Sequence, residues 1–123
     1  GVTVVVEPLN TAECNVLTTV AECAALVNEV DHPGVRLLVD AYHLMRDGDS
    51  YADIVKYGEL LAHVHIATEA GRRAPGAEPC DFSRFFEALS DAHYTGRVSI
   101  ECGFSDPETE IPEALPIMRQ LSA

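Results

Sequence analysis

The stretch VRLLVDAYHLM, residues 35–45, decides the fold. Its first half is a run of β-branched and leucine side chains without alternation. A strand covered on both faces reads this way, as in a parallel sheet flanked by helices. The run ends abruptly at Asp40, and His43 follows three residues later. A carboxylate and an imidazole at the exit of a buried strand have no packing reason to be there. In barrel and doubly wound α/β folds, the carboxyl ends of the strands are where chemistry sits.

Three other runs end the same way. Val2-Thr3-Val4-Val5-Val6 stops at Glu7, and Pro8 then prevents the ladder from continuing. Leu61 to Ala67 is a strand with His63 and His65 two apart and so on one face. Arg97 to Ile100 ends at Glu101. Helical patterns separate the strands. Thr19-Val20-Ala21-Glu22 is a capping box that opens a helix, and Asp31-His32-Pro33-Gly34 stops it. The polar run Arg46 to Ser50 leads to a second helix near Tyr51–Leu61. Asp81 N-caps a third, Phe82 to about His93, with Phe82, Phe85, Phe86 and Leu89 as its apolar stripe. The last helix runs from about Glu108 to Leu121, disturbed by Pro112 and Pro116. The order β-α-β-α-β-α-β-α predicts a parallel α/β sheet with right-handed crossovers.

The 123 residues suffice for a single domain, 1–123, with a modest core. Apolar content of 47% and charged content of 23% are ordinary for a globular protein. No apolar run approaches a membrane span, so no membrane partner is expected. The formal net charge of −12 argues against nucleic acid as a partner. It leaves room for a small anionic substrate met by local arginines. Cys14, Cys23, Cys80 and Cys102 show no metal-finger spacing. They are expected to be reduced, in the cytoplasm.

Each strand therefore delivers one metal-competent side chain near its carboxyl end: Glu7, Asp40, His65 and Glu101. If the sheet curves, the four converge on one rim. Three carboxylates and one imidazole suit one hard or borderline divalent ion, with Mn²⁺ first and Mg²⁺, Co²⁺ or Zn²⁺ as alternatives. A single Glu at a strand end commonly just faces a loop or caps a helix. The joint pattern across four strands is what points to a site. His63 shares the face of His65 but lies deeper in the strand, so it reads equally as a satisfied core or supporting histidine and as a ligand. His32 and His93 lie beside turns and are expected at the surface.

The words Glu7-Pro8-Leu9-Asn10, Arg36 to His43, His63 to Ala67, Gly71-Arg72 with Pro75-Gly76, and Ser99-Ile100-Glu101 resemble the C-terminal half of the xylose-isomerase-like TIM-barrel superfamily. The nearest type is the sugar or sugar-phosphate isomerase/epimerase, ketose 3-epimerase or hydroxypyruvate isomerase-like. The resemblance implies a parallel (βα)₄ half of a TIM barrel. It implies that Glu7, Asp40, His65 and Glu101 bind the metal, and that Glu7 and Glu101 are also the catalytic acid/base pair. His43 and Arg72 would hold substrate oxygens, and His63 would stand near the site without ligating.

The implied activity is a divalent-metal-dependent isomerase or epimerase working through a cis-enediolate on a small sugar or sugar phosphate. The alternatives are an inosose-type dehydratase on the same metal site, or a non-catalytic half-barrel assembly module. A metal-dependent endonuclease of the same superfamily would want more histidines and a basic surface. Two positions depart from the pattern. Thr11 stands where an arginine is common, and Ala77-Glu78-Pro79-Cys80 replaces a more glycine-rich turn. Half a barrel leaves strand edges unpaired, which invites another chain. The expectation is a homo-oligomer or a piece missing its N-terminal half, and little activity from the piece alone.

Overall fold

The computed structural model describes residues 1–123. Four strands form one parallel sheet in sequence order: β1 (Val4–Val6), β2 (Val35–Asp40), β3 (Leu61–Ile66) and β4 (Val98–Ile100). The helices are α1 (Val20–Val30), α2 (Ala41–Asp47), α3 (Tyr51–Lys56), α4 (Ser83–Asp91) and α5 (Pro107–Leu121), with a 3₁₀ turn at Gly58–Leu60. The sheet is therefore the parallel α/β arrangement expected, with one elaboration. The second crossover holds two α-helices rather than one.

The extra helix, α2, begins at the residue that ends β2. Asp40 has extended backbone, and its Oδ1 accepts the Tyr42 N–H at 2.8 Å. It is the last strand residue and the N-cap of α2 at once. Sequence patterning missed α2 because its seven residues are too few to show a helical stripe. The Thr19–Glu22 capping box is present, with both reciprocal bonds. α4 starts at Ser83, whose N–H is taken by the Asp81 carboxylate. α5 continues through Pro112 and Pro116.

Alternation along the strands separates two faces. Leu37 and Val39 of β2 and Val64 and Ile66 of β3 enter one hydrophobic core with Val20 and Cys23 of α1, Phe85 and Leu89 of α4 and Met118 of α5. Leu38, Asp40, His63 and His65 point the other way. β2 is buried on both faces as its composition predicts, whereas His63 and His65 leave that face of β3 half-exposed. β1 and β4 are edges, each paired on one side only. No helix is long and apolar enough to cross a membrane, and all four cysteines are free thiols.

Candidate metal and acid/base centre

Parallel pairing places the carboxyl ends of all four strands on one rim. Asp40 lies opposite His65, and His65 opposite Ser99, two residues before Glu101. The Glu101 N–H extends the ladder by donating to the Ile66 carbonyl at 3.1 Å. One ligand-type atom from each of Glu7, Asp40, His65 and Glu101 falls within 4.8 Å of the other three. His65 Nδ1 is 3.5 Å from Glu7 Oε1 and 3.6 Å from Glu101 Oε1. Two ligand atoms each ~2.1 Å from one ion stand about 3 Å apart when adjacent and about 4.2 Å apart when opposite. The quartet thus fits one ion after small side-chain adjustment.

Three atoms of the quartet, Glu7 Oε1, Asp40 Oδ2 and His65 Nδ1, are buried with no hydrogen-bond partner. Buried polar atoms in native proteins are satisfied in the large majority of cases. Three such atoms converging fit a cation, since the groups beside them, His65 at 3.5 Å from Glu7 Oε1 and Arg72 at 3.9 Å from Asp40 Oδ2, form no hydrogen bond to them. Electrostatics agree. Burial raises the Glu7 carboxyl above its ordinary range, and the like charges of Asp40 and Glu101 add to this while His65 opposes it. Burial also raises Asp40, against the Tyr42 N–H and His43.

The proposed substrate-holding residues face the same rim. His43 lies in the first turn of α2, and its Nε2 is 4.0 Å from Asp40 Oδ2. Burial pushes the His43 imidazole below its ordinary value. Arg72 donates to Glu101 Oε2 at 2.7 Å and lies 3.9 Å from Asp40 Oδ2. Its guanidinium rests over the Tyr42 ring, 4.7 Å from the centroid. His63 stays outside the quartet. Its Nε2 contacts Ser99 Oγ at 2.9 Å, bracing β3 against β4, and its ring meets that of His65 edge-on. His32 and His93 are exposed, as expected.

Sequence patterning missed three residues around the quartet. Asn10 is buried and hydrogen-bonded to His43 Nδ1. Glu13 Oε2 is 3.5 Å from Arg72 Nη1. Tyr42 carries the arginine. Asn10 belongs to a word that marks the family, but nothing local assigns it a partner. Glu13 is the only acid besides Glu7 between β1 and α1, and only the fold shows that it faces Arg72.

Both departures from the family pattern have local uses. Thr11 donates its hydroxyl to Asp47 Oδ1 at 3.3 Å, beside the backbone N–H bond to Asp47 Oδ2 at 2.7 Å. Glu78 accepts from the Thr68 hydroxyl and from the Gly71 N–H, closing the loop that carries Arg72. Arg72 has φ +50°, a left-handed conformation that costs a non-glycine residue about 1 kcal/mol. The Thr68 hydroxyl bond comes first among the effects that hold the Glu78 carboxyl below its ordinary 4.5. A depressed folded value stabilises above the unfolded value, and that contribution is lost as pH falls through the folded one. The Gly71 amide is therefore expected to be protected at neutral pH and to lose protection below the ordinary carboxylate range. Hydrogen exchange measures this, and a protection factor unchanged between pH 7 and about pH 3 would refute the brace.

A family model described as Xylose isomerase-like TIM barrel matches residues 1–121, and the chain belongs to that family. It is 36% identical over 102 residues to the D-psicose 3-epimerase of Agrobacterium fabrum, covering 82% of this chain and 35% of that protein. It is 34% identical to the 3-dehydro-D-guloside 4-epimerase of Escherichia coli, covering 82% of this chain and 38% of that one. Among solved structures, a D-psicose 3-epimerase crystallised in the presence of D-fructose matches with a TM-score of 0.84 at 29% identity. That match covers 98% of this chain and 49% of that one. The chain thus spans between about a third and a half of the length of these relatives, and its sheet is part of their barrel fold.

Proposed function

We propose that this chain carries the metal-binding and proton-transfer half of a ketose 3-epimerase, with Mn²⁺ as its divalent ion. The observation that supports this most is the quartet of Glu7, Asp40, His65 and Glu101, with three buried ligand atoms that lack partners. We read residues 1–123 as one domain equivalent to the C-terminal half of a (βα)₈ barrel, closed by four further units or by a second copy along the edges of β1 and β4. The free thiols are compatible with a cytoplasmic enzyme of carbohydrate metabolism.

A bound dication held by the quartet would supply Lewis-acid stabilisation of the negative charge that develops on neighbouring sugar oxygens. Glu7 and Glu101 both approach His65 Nδ1, at 3.5 and 3.6 Å, from the ends of β1 and β4. One takes the proton from the carbon beside the carbonyl, and the other returns a proton to the opposite face of the resulting cis-enediolate. The centre is thereby inverted. The Arg72 guanidinium and His43 offer fixed donors to substrate oxygens. Arg72 also holds Glu101 by a charge-assisted bond that orients that carboxylate.

The test is Mn²⁺-dependent deuterium incorporation at C3 of ketohexoses in D₂O. It is run on the chain alone and on the chain fused to the first four βα units of the Agrobacterium relative. The chain alone is expected to turn over slowly or not at all. The fusion should exchange at C3 and form the epimer, and should lose both with Glu7→Gln or Glu101→Gln. A folded, Mn²⁺-loaded fusion that is silent with ketoses, or that dehydrates an inosose instead, overturns the reading.

A further inference from the structure

Asn10 is 1% exposed, in the loop after β1. Every polar group it owns is used. Its backbone N–H donates to His43 Nδ1 at 3.1 Å. Its Nδ2 meets the same ring nitrogen at 2.8 Å and donates its other hydrogen to Glu13 Oε1 at 2.9 Å. Its Oδ1 accepts the Ala12 N–H at 3.1 Å, and its carbonyl accepts from the Glu13 and Cys14 amides.

We propose that Asn10 is a positioning residue that locks the His43 imidazole in its Nε2–H tautomer, so that the rim meets a hydrogen-bond donor and never a free ring lone pair.

The argument turns on a donor that cannot be reversed. A backbone N–H only donates, so the ring nitrogen it faces must accept. The side-chain amide points the same way. Ala12 fixes the oxygen end, which turns the NH₂ end toward both His43 Nδ1 and the Glu13 carboxylate. Nδ1 therefore keeps its lone pair, and the proton of the neutral ring sits on Nε2. Arg72 Nη2 lies 3.4 Å from Nε2 and would favour a bare nitrogen there. One distant donor does not outweigh two close ones on Nδ1. The nearest acceptor on the Nε2 side is Asp40 Oδ2 at 4.0 Å.

This tautomer has a chemical consequence. Nε2 stands next to the quartet, and a bare Nε2 would be a fifth nitrogen or oxygen donor for a cation. Protonated, it is excluded as a ligand and is left to donate to an oxygen. The part of the inference that concerns substrate rests on the epimerase reading above. The tautomer itself does not.

Long-range ¹H–¹⁵N correlation spectra of the chain labelled at its histidines report which ring nitrogen carries the proton. The His43 signals are identified by their loss in His43→Gln. In the parent chain, without metal or substrate, the proton is expected on Nε2. Asn10→Asp keeps an oxygen for the Ala12 N–H but sets a carboxylate oxygen against the ring in place of the amide donor. The backbone N–H of residue 10 still faces Nδ1, so the proton is expected to be shared between Nδ1 and Nε2 rather than held on Nε2 alone. A parent chain with the proton on Nδ1, or averaged over both nitrogens, overturns the proposal, as does an Asn10→Asp spectrum identical to the parent's. The parent spectrum decides the matter even if the variant fails to fold. Failure of the epimerase reading would show as absent C3 exchange and would leave these spectra as they are.

Discussion

Asp40→Asn is expected to weaken Mn²⁺ binding by about 100-fold, the equivalent of roughly 3 kcal/mol, measured by calorimetric titration. Asp40 is the most buried of the four carboxyl and imidazole groups that meet on the rim. Its two oxygens divide the work. Oδ1 caps α2 through the Tyr42 N–H, while Oδ2 is buried without a partner. Asparagine retains an oxygen for the cap, so α2 and His43 stay in place. What is lost is the charge aimed at the ion.

Stability separates this outcome from unfolding. Burial raises the Asp40 carboxyl in the metal-free chain. A raised folded value means that the group's contribution to stability is fully present below its unfolded value and is lost as pH rises through the folded one. At neutral pH the buried Asp40 carboxyl, with its raised value, is thus a burden on the metal-free fold. Asp40→Asn should be at least as resistant to urea in EDTA as the parent at pH 7. Affinity within threefold of the parent would remove Asp40 from the ligand set.

Phe85→Ala is expected to destabilise the chain by about 4 kcal/mol, read from urea unfolding. Phe85 is fully buried and belongs to the core cluster that includes Val64 and Ile66 of β3. The faces of β3 have opposite tasks. Val64 and Ile66 hold the strand against the helices, while His63 and His65 look onto the rim. Truncating Phe85 leaves a cavity that neighbouring strands and helices can fill only in part. The loss is a large share of the ~5–15 kcal/mol that holds a domain of this kind together. A cost under about 1 kcal/mol would mean that α4 does not support the sheet as described.

The consequences reach the site by a short path. The Ile66 carbonyl receives the Glu101 N–H, so a loosened β3 carries both His65 and Glu101 with it. A weaker affinity for Mn²⁺ should accompany the loss of stability, and saturating Mn²⁺ should recover part of the urea midpoint.

Much of the fold was legible because the strands are short apolar words with clear stops. Val35–Val39 has no alternation and ends on a charge, and Thr19–Glu22 is a helix start that the fold uses as written. The ligand-type residues were legible for the same reason, since each is the polar residue that ends an apolar run. α2 was not legible. Its cap is Asp40, which also reads as a strand-end acid, and its seven residues are too few to show a period. How far the His63–His65 face of β3 is covered was not legible either, because only neighbours in space decide it.

The sequence by itself determined the strand-and-helix alternation and the four rim residues, because apolar runs and their stops are properties of neighbouring positions. Tertiary structure alone decided how the rim is assembled. Parallel register brings Glu7, Asp40, His65 and Glu101 within 4.8 Å. Asn10, Glu13 and Tyr42 join His43 and Arg72 through contacts among two loops and α2, segments far apart in the chain. Such contacts leave no periodic trace along the chain. They exist only where folding sets a fixed donor against a particular lone pair, as the Asn10 N–H is set against His43 Nδ1.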